Sequence, residues 1–238
     1  MFNSRLVWRI REPVLRRILS FLFLAGTLAA CSSAGAMPEP EVQIDMLTTE
    51  GSQELTVGLL LSSLYNPLYV SLQKGAIESA SRLDIELIVR EAGDDAEKQL
   101  RQIDELLTLG VDALILNPVD SAAISGGVRQ AESANVPVVT VERRVNGATI
   151  SAHVASDNVA GGEMAASYLV DMLQEEGKIV EIMGNPGTSA AQDRSDGFNQ
   201  VIATYPGISV EARSVANFDR QEARRVFGEL LSQHPDLD

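Results

Sequence analysis

The sequence predicts an α/β protein of two lobes, each a parallel sheet flanked by helices. Three features point that way: from Leu55 onward short apolar runs alternate with segments of helical period, the runs are continuous and rich in β-branched residues, and the same alternation resumes after Asn158. Continuous apolar strands need both sheet faces covered, and parallel neighbours need a crossover, which a helix supplies.

The strand-like runs are 55–61, 85–89, 111–116 and 136–141. Between the first two, Asn66 stands as an N-cap before Pro67, whose missing N–H costs nothing at the first helical position. The second helix is expected to open on a capping box of Asp94 and Glu97, to carry Leu100, Ile103 and Leu107 on one face and to stop at Gly110. The third is expected from Asp120 to about Ala134. After Asn158 come a helix to about Glu176, a strand over 178–183, a helix from about Ala190, a strand over 208–215 and a helix from Asp219. The first lobe is assigned to 55–156 and the second to 157–238.

Ahead of the fold, residues 1–30 hold five arginines against the single acid Glu12, then an apolar run over 18–30. That run is too short to span a bilayer as a mature helix but suits the core of an export signal. It ends Leu28-Ala29-Ala30-Cys31, and Cys31 is the only cysteine, so neither an intrachain disulfide nor a multi-cysteine metal site is available. The ending resembles a bacterial lipobox, with Cys31 as the lipidated residue. A plain signal peptide cut near Ala36 and an uncleaved anchor are the competing readings. Residues 31–54 then read as the lipidated cysteine and a solvated tether rich in Ser, Ala, Gly, Pro and Glu. The protein is expected in the periplasm or cell envelope, touching the membrane through its lipid only.

Composition narrows the function. With 45% apolar and 22% charged residues the chain can bury a real core, and its net charge of −14 becomes −18 once the signal's +4 is set aside. So acidic a body repels phosphate backbones, which argues against nucleic acid as a partner. In parallel sheets ligands sit beyond the carboxyl ends of the strands, which singles out Ser62 and Asn66, Asn117, and Glu142 with Arg143. None is a nucleophile with a base beside it. His153 and His234 are the only histidines, and neither lies near a cysteine or paired acids at ligand spacing. No metal, cofactor or catalytic constellation is expected. The 184–189 stretch lacks the lysine of a phosphate loop and reads as a strand-to-helix turn; Gly161-Gly162 reads as a close-packing site at the lobe crossover, and His153 as structural. Planar amide, carboxylate and guanidinium groups can each engage two neighbouring hydroxyls, the geometry of a polyol, and rings such as Tyr69 and Phe218 can cover a sugar's apolar side. The plainer reading of the same residues is structural, with Asn66 and Asp120 as caps, Asn117 as a turn residue and Arg143 as a surface charge.

LTVGLLLSSLYNPLYVSLQKGA, DALILNPVDSAA, NVPVVTVERR, HVASDNVAGG, GTSAAQDRSDGF and ANFDR, in that order, resemble the ribose-binding family of periplasmic proteins over 55–238. The resemblance implies two α/β lobes that close on one monosaccharide, ribose or a related pentose or hexose, for an ABC importer. It implies contacts from Ser62, Asn66, Tyr69, Asn117 and Arg143 in the first lobe and Arg194 and Phe218 in the second. Leu68 replaces an aromatic ring of the family, and Glu142 replaces an aspartate. The implied partners are the sugar and a transporter permease, and the protein is expected to be monomeric, with no cofactor. A sugar-sensing receptor subunit is the alternative. A repressor-type sensor is disfavoured because a signal and an acidic tether, not a basic helix-turn-helix, precede the core, and an enzyme ranks below both. The family continues where this chain stops after a helix, so the second lobe is expected to be incomplete, aggregation-prone and poor at binding sugar.

Overall fold

A computed structural model describes residues 55–238; the signal segment, Cys31 and the tether lie outside the described residues. Seven strands and six helices alternate: β1 (Leu55–Leu61), α1 (Pro67–Leu83), β2 (Ile85–Glu91), α2 (Ala96–Leu109), β3 (Ala113–Leu116), α3 (Ser125–Ser133), β4 (Val138–Val141), β5 (Ala152–Val154), α4 (Asn158–Met172), β6 (Gly177–Met183), α5 (Ser189–Ile202), β7 (Ile208–Val215) and α6 (Arg220–Gln233). They form a five-stranded sheet in the order β2-β1-β3-β4-β5 and a two-stranded sheet β6-β7, with every pairing parallel. All carboxyl ends within a sheet therefore point to one edge, where polar residues gather.

One apolar core joins Leu60, Leu114 and Leu116 of the first sheet to Ile103 and Leu106 of α2 and Ile124 and Val128 beside and within α3. A second joins Ala166 and Val170 of α4 to Ile179, Ile202 and Ile208. Helices α4 and α5 touch through glycines: a Cβ on Gly162 would lie 2.1 Å from Arg194 O, and one on Gly197 2.1 Å from Val159 O. Of the expected glycine pair, Gly162 thus makes the close contact, against α5, while Gly161 faces open space.

Several boundaries move for identifiable reasons. Asp95, not Asp94, caps α2 by accepting from Lys98 N, and Asp94 takes a left-handed φ of 59° instead. Asp120 caps only a turn, its Oδ1 accepting from Ala122 N at 2.8 Å and Ala123 N at 2.7 Å, so α3 begins at Ser125. β3 and β4 start two residues later than their apolar runs. Val111 N and Val136 N are spent closing the preceding helices onto Leu106 O and Ala131 O, and Pro137 has no N–H to give a ladder. α4 stops at Met172 because Gln174 and Glu175 turn left-handed. The three-residue β5, unforeseen in the sequence, places His153 opposite Thr140.

The two sheets repeat a detail. Asp112 N donates to Thr56 O at 2.8 Å while Thr56 N donates to Asp112 Oδ2 at 2.8 Å, which locks the start of β3 to β1. Asp238 and Lys178 make the same pair of bonds, at 3.1 and 2.9 Å, beside β6. β1 is paired on both sides, whereas β6 pairs with β7 alone among the described residues. No helix among the described residues is long and apolar enough to cross a membrane.

Candidate functional site

At the carboxyl edge of the first sheet, Asn117 follows β3 directly and continues the ladder, its N–H donating to Leu60 O at 2.8 Å. Its carboxamide ties three strand ends together. Oδ1 accepts from Ser62 Oγ at 2.7 Å and Ser62 N at 3.2 Å, and Nδ2 donates to Val141 O at 3.1 Å and Glu142 Oε2 at 3.3 Å. Ser62 and Asn117 have no exposed surface. Both spend their polar atoms on organising the edge, in keeping with the rule that buried polar groups are paired.

Glu142 and Arg143 follow β4. Glu142 has a φ of 65°, and Arg143 N donates back to Val141 O at 2.7 Å, which makes Glu142 the centre of a three-residue turn of the rare, strained hand. Glu142 N is held by Val154 O at 2.8 Å, so the short β5 supports this turn. The Glu142 carboxylate accepts from Tyr69 Oη at 3.1 Å. Arg143 is buried, with Nη1 donating to Pro118 O at 3.0 Å. Its Nε lies 3.1 Å from Glu142 Oε2, close enough for an ion pair but off the N–H direction, so Nε has no aligned acceptor. The guanidinium lies between two rings, 5.4 Å from the centroid of Tyr69 and 5.7 Å from that of Phe218. Burial pushes the Tyr69 phenol up to about 12, with the Glu142 carboxylate adding to the shift and Arg143 opposing it.

The second sheet contributes Phe218, at a φ of 61° after Asn217 at 50°, on the loop between β7 and α6. A Cβ on Gly184 would lie 2.1 Å from its ring, so glycine at the end of β6 is what lets the ring settle there. Arg194 of α5 reaches the same ring at 6.0 Å and donates from Nε to Asn158 Oδ1 at 2.8 Å. Of the nine sequence-nominated residues, seven thus form one connected set: Ser62, Asn117, Glu142, Tyr69, Arg143, Phe218 and Arg194. Asn66 and Leu68 stand at the rim. Asn66 caps α1 by accepting from Leu68 N, and Leu68 is half exposed.

Sequence reasoning missed the residues that brace this set. Gln99 of α2, fully buried, donates to Asn117 O at 2.9 Å and accepts from Val119 N at 2.8 Å, gripping the loop on both sides of Pro118. Its signal was a glutamine on the same helical stripe as Ile103 and Leu106, where an apolar residue would be routine. Loops of the two sheets also meet directly. Ser121 N donates to Gly187 O at 2.8 Å, Ser189 N to Ser121 Oγ at 2.9 Å and Arg144 N to Ser189 Oγ at 2.7 Å. Arg144 Nη2 pairs with Asp193 Oδ1 at 2.8 Å. His153, 2.9 Å from Thr140 Oγ1, is held below the ordinary imidazole value by burial and by the Arg144 guanidinium.

A cavity of about 560 Å³ adjoins the second-sheet side of this set, lined by Arg194 and Phe218 but by none of the first-sheet residues. Its wall includes the consecutive residues Val180 to Gly184, so it runs along the β6 edge that is unpaired among the described residues and reaches the set only at Arg194 and Phe218. Among the described residues no group of three or more His, Cys, Asp or Glu could hold a metal ion.

Parallel sheets whose strand-end loops converge on buried charged and aromatic groups define a ligand-binding α/β protein. The family profile described as "Periplasmic binding protein domain" matches residues 57–238, and the chain belongs to that family. It is 39% identical over 210 residues to the ribose import binding protein of Bacillus subtilis, covering 88% of this chain and 67% of that protein. Among solved structures, the myo-inositol binding protein of Caulobacter is similar at a TM-score of 0.74 and 26% identity, over 79% of this chain and 64% of that one. The fructose-binding periplasmic domain of a hybrid two-component system is similar at 0.75 and 26%, over 78% and 62%. The chain thus spans about two thirds of the length of these relatives.

Proposed function

We propose that this protein is an extracytoplasmic solute-binding protein that captures a monosaccharide, ribose or a related pentose or hexose, for an ABC importer. One observation supports it above the others: the half-buried Glu142 carboxylate paired with the buried Arg143 guanidinium, which packs on the rings of Tyr69 and Phe218. Adjacent acceptor and donor groups suit neighbouring hydroxyls, and ring faces suit the C–H side of a sugar. The ribose-importing relative favours the same ligand class. We read the protein as a monomer in the periplasm, lipid-anchored through Cys31, delivering ligand to a permease and converting nothing. The likeness to a two-component sensor domain favours sensing as the second reading.

The experiment is calorimetry of the full-length protein against pentoses and hexoses, with Arg143→Ala alongside. One sugar should bind, and Arg143→Ala should weaken it by about 1–3 kcal/mol or more, since a buried partner is left unpaired. No heat with any monosaccharide defeats the sugar reading, and unchanged affinity in Arg143→Ala removes that residue from the site.

A further inference from the structure

Glu142 has one carboxylate oxygen crowded and the other open. Oε2 receives Tyr69 Oη at 3.1 Å and Asn117 Nδ2 at 3.3 Å, and lies 3.1 Å from Arg143 Nε. Oε1 accepts no hydrogen bond among the described residues. The three groups around Oε2 differ in what they can hold. Arg143 Nε is misaligned, and Asn117 Nδ2 gives one N–H to Val141 O at 3.1 Å and only its longer bond, 3.3 Å, to Glu142. The Tyr69 hydroxyl gives its single proton to Glu142 alone, from a ring that is 2% exposed and stacked on Arg143. A long glutamate side chain on a strained turn needs such a fixed donor, because three side-chain torsions lie between its backbone and its carboxylate oxygens.

We propose that Tyr69 is a positioning residue whose buried hydroxyl, not its ring alone, fixes Glu142 Oε2, so that Oε1 alone is presented to the ligand. This rests on reading the site as a monosaccharide site. A carboxylate with both oxygens open accepts hydroxyls from two directions and tolerates either configuration at the carbon it reads. With Oε2 committed, only a hydroxyl aimed at Oε1 is satisfied, and the epimer covers that acceptor without pairing it. Tyr69 and Glu142 thus act as a unit that reads stereochemistry. A phenylalanine at 69 keeps the stacking face and loses the discrimination.

The test is Tyr69→Phe in the full-length protein, titrated by calorimetry with D-ribose, its C2 epimer D-arabinose and its C3 epimer D-xylose. The ratio between the best pentose and its weaker epimer should narrow by about fivefold or more, while far-ultraviolet circular dichroism stays unchanged. Equal weakening of all three sugars, or no change, would sink the proposal, since a merely structural role moves every ligand alike. A ligand-free crystal structure of Tyr69→Phe gives a second readout. The Glu142 carboxylate should leave Asn117 and Arg143, and an unmoved carboxylate overturns the positioning role. Wild type that binds no monosaccharide, pentose or hexose, defeats the proposed function, and the crystal structure then still decides the role of Tyr69.

Discussion

Gln99 holds the backbone on either side of Pro118 with both ends of one carboxamide, in a place without exposed surface. Gln99→Leu keeps the bulk but strands Val119 N–H and Asn117 C=O. It should lower stability by about 1–3 kcal/mol for each group left unpaired and weaken ligand binding as the Asn117 loop relaxes. Urea denaturation beside calorimetry checks both, and an unchanged midpoint would mean that water replaces the amide. His153 behaves differently. Burial and Arg144 depress its folded value, with Asp193 and Glu142 pulling the other way, so the fold prefers the neutral ring. Its contribution is complete above the unfolded value of about 6.5 and is lost as pH falls through that value toward the folded one. Melting curves from about pH 8 to 5 should therefore fall more steeply for wild type than for His153→Gln; parallel curves would remove His153 from the acid response.

Elements with their own start and stop signals were legible. Asn66-Pro67, Gly110 and Asp219 bound their helices as read, and the strand at 208–215 has the expected limits. Misreadings arose where two local solutions compete within a residue or two, as at Asp94 and Asp95, or where an apolar residue closes a helix and does not enter a ladder, as at Val111 and Val136. Ser62, Asn66, Asn117, Glu142 and Arg143 could be nominated because parallel strands present their following residues at one edge, whereas Leu68 and Arg194 sit in helices and were reached only through the family resemblance. The direct contacts between loops were not legible, since Ser121 and Ser189 lie 68 positions apart and nothing local marks either as a partner. These contacts carry a prediction at the same scale. They touch no nominated site residue yet join the two sheets, so Ser189→Ala should weaken every ligand by one common factor, on the order of fivefold, leaving selectivity intact. Titration of the same pentoses checks this; a changed order of preference would place Ser189 in the site itself.

At the scale of the fold, the two sheets differ among the described residues. β1 is paired on both sides, while among the described residues β6 has one unpaired edge, beside a cavity of about 560 Å³. An unpaired edge is a template for strand addition. Residues 55–238 should therefore associate as concentration rises, by light scattering, and a chain that stays monomeric at high concentration would show the edge to be protected. The twin aspartate clamps, Asp112 on Thr56 and Asp238 on Lys178, add a meaning of their own. Each sets a backbone beside the second residue of its strand with the same two bonds, so the two sites are alike as backbone sockets. The plug seated in the first is Ala113-Leu114-Ile115-Leu116, the whole of β3. Spliced after Asp238, that tetrapeptide should seat in the second socket and extend the smaller sheet to three strands. The same likeness means that segments of two neighbouring chains can trade places, with each socket filled by a stranger's strand.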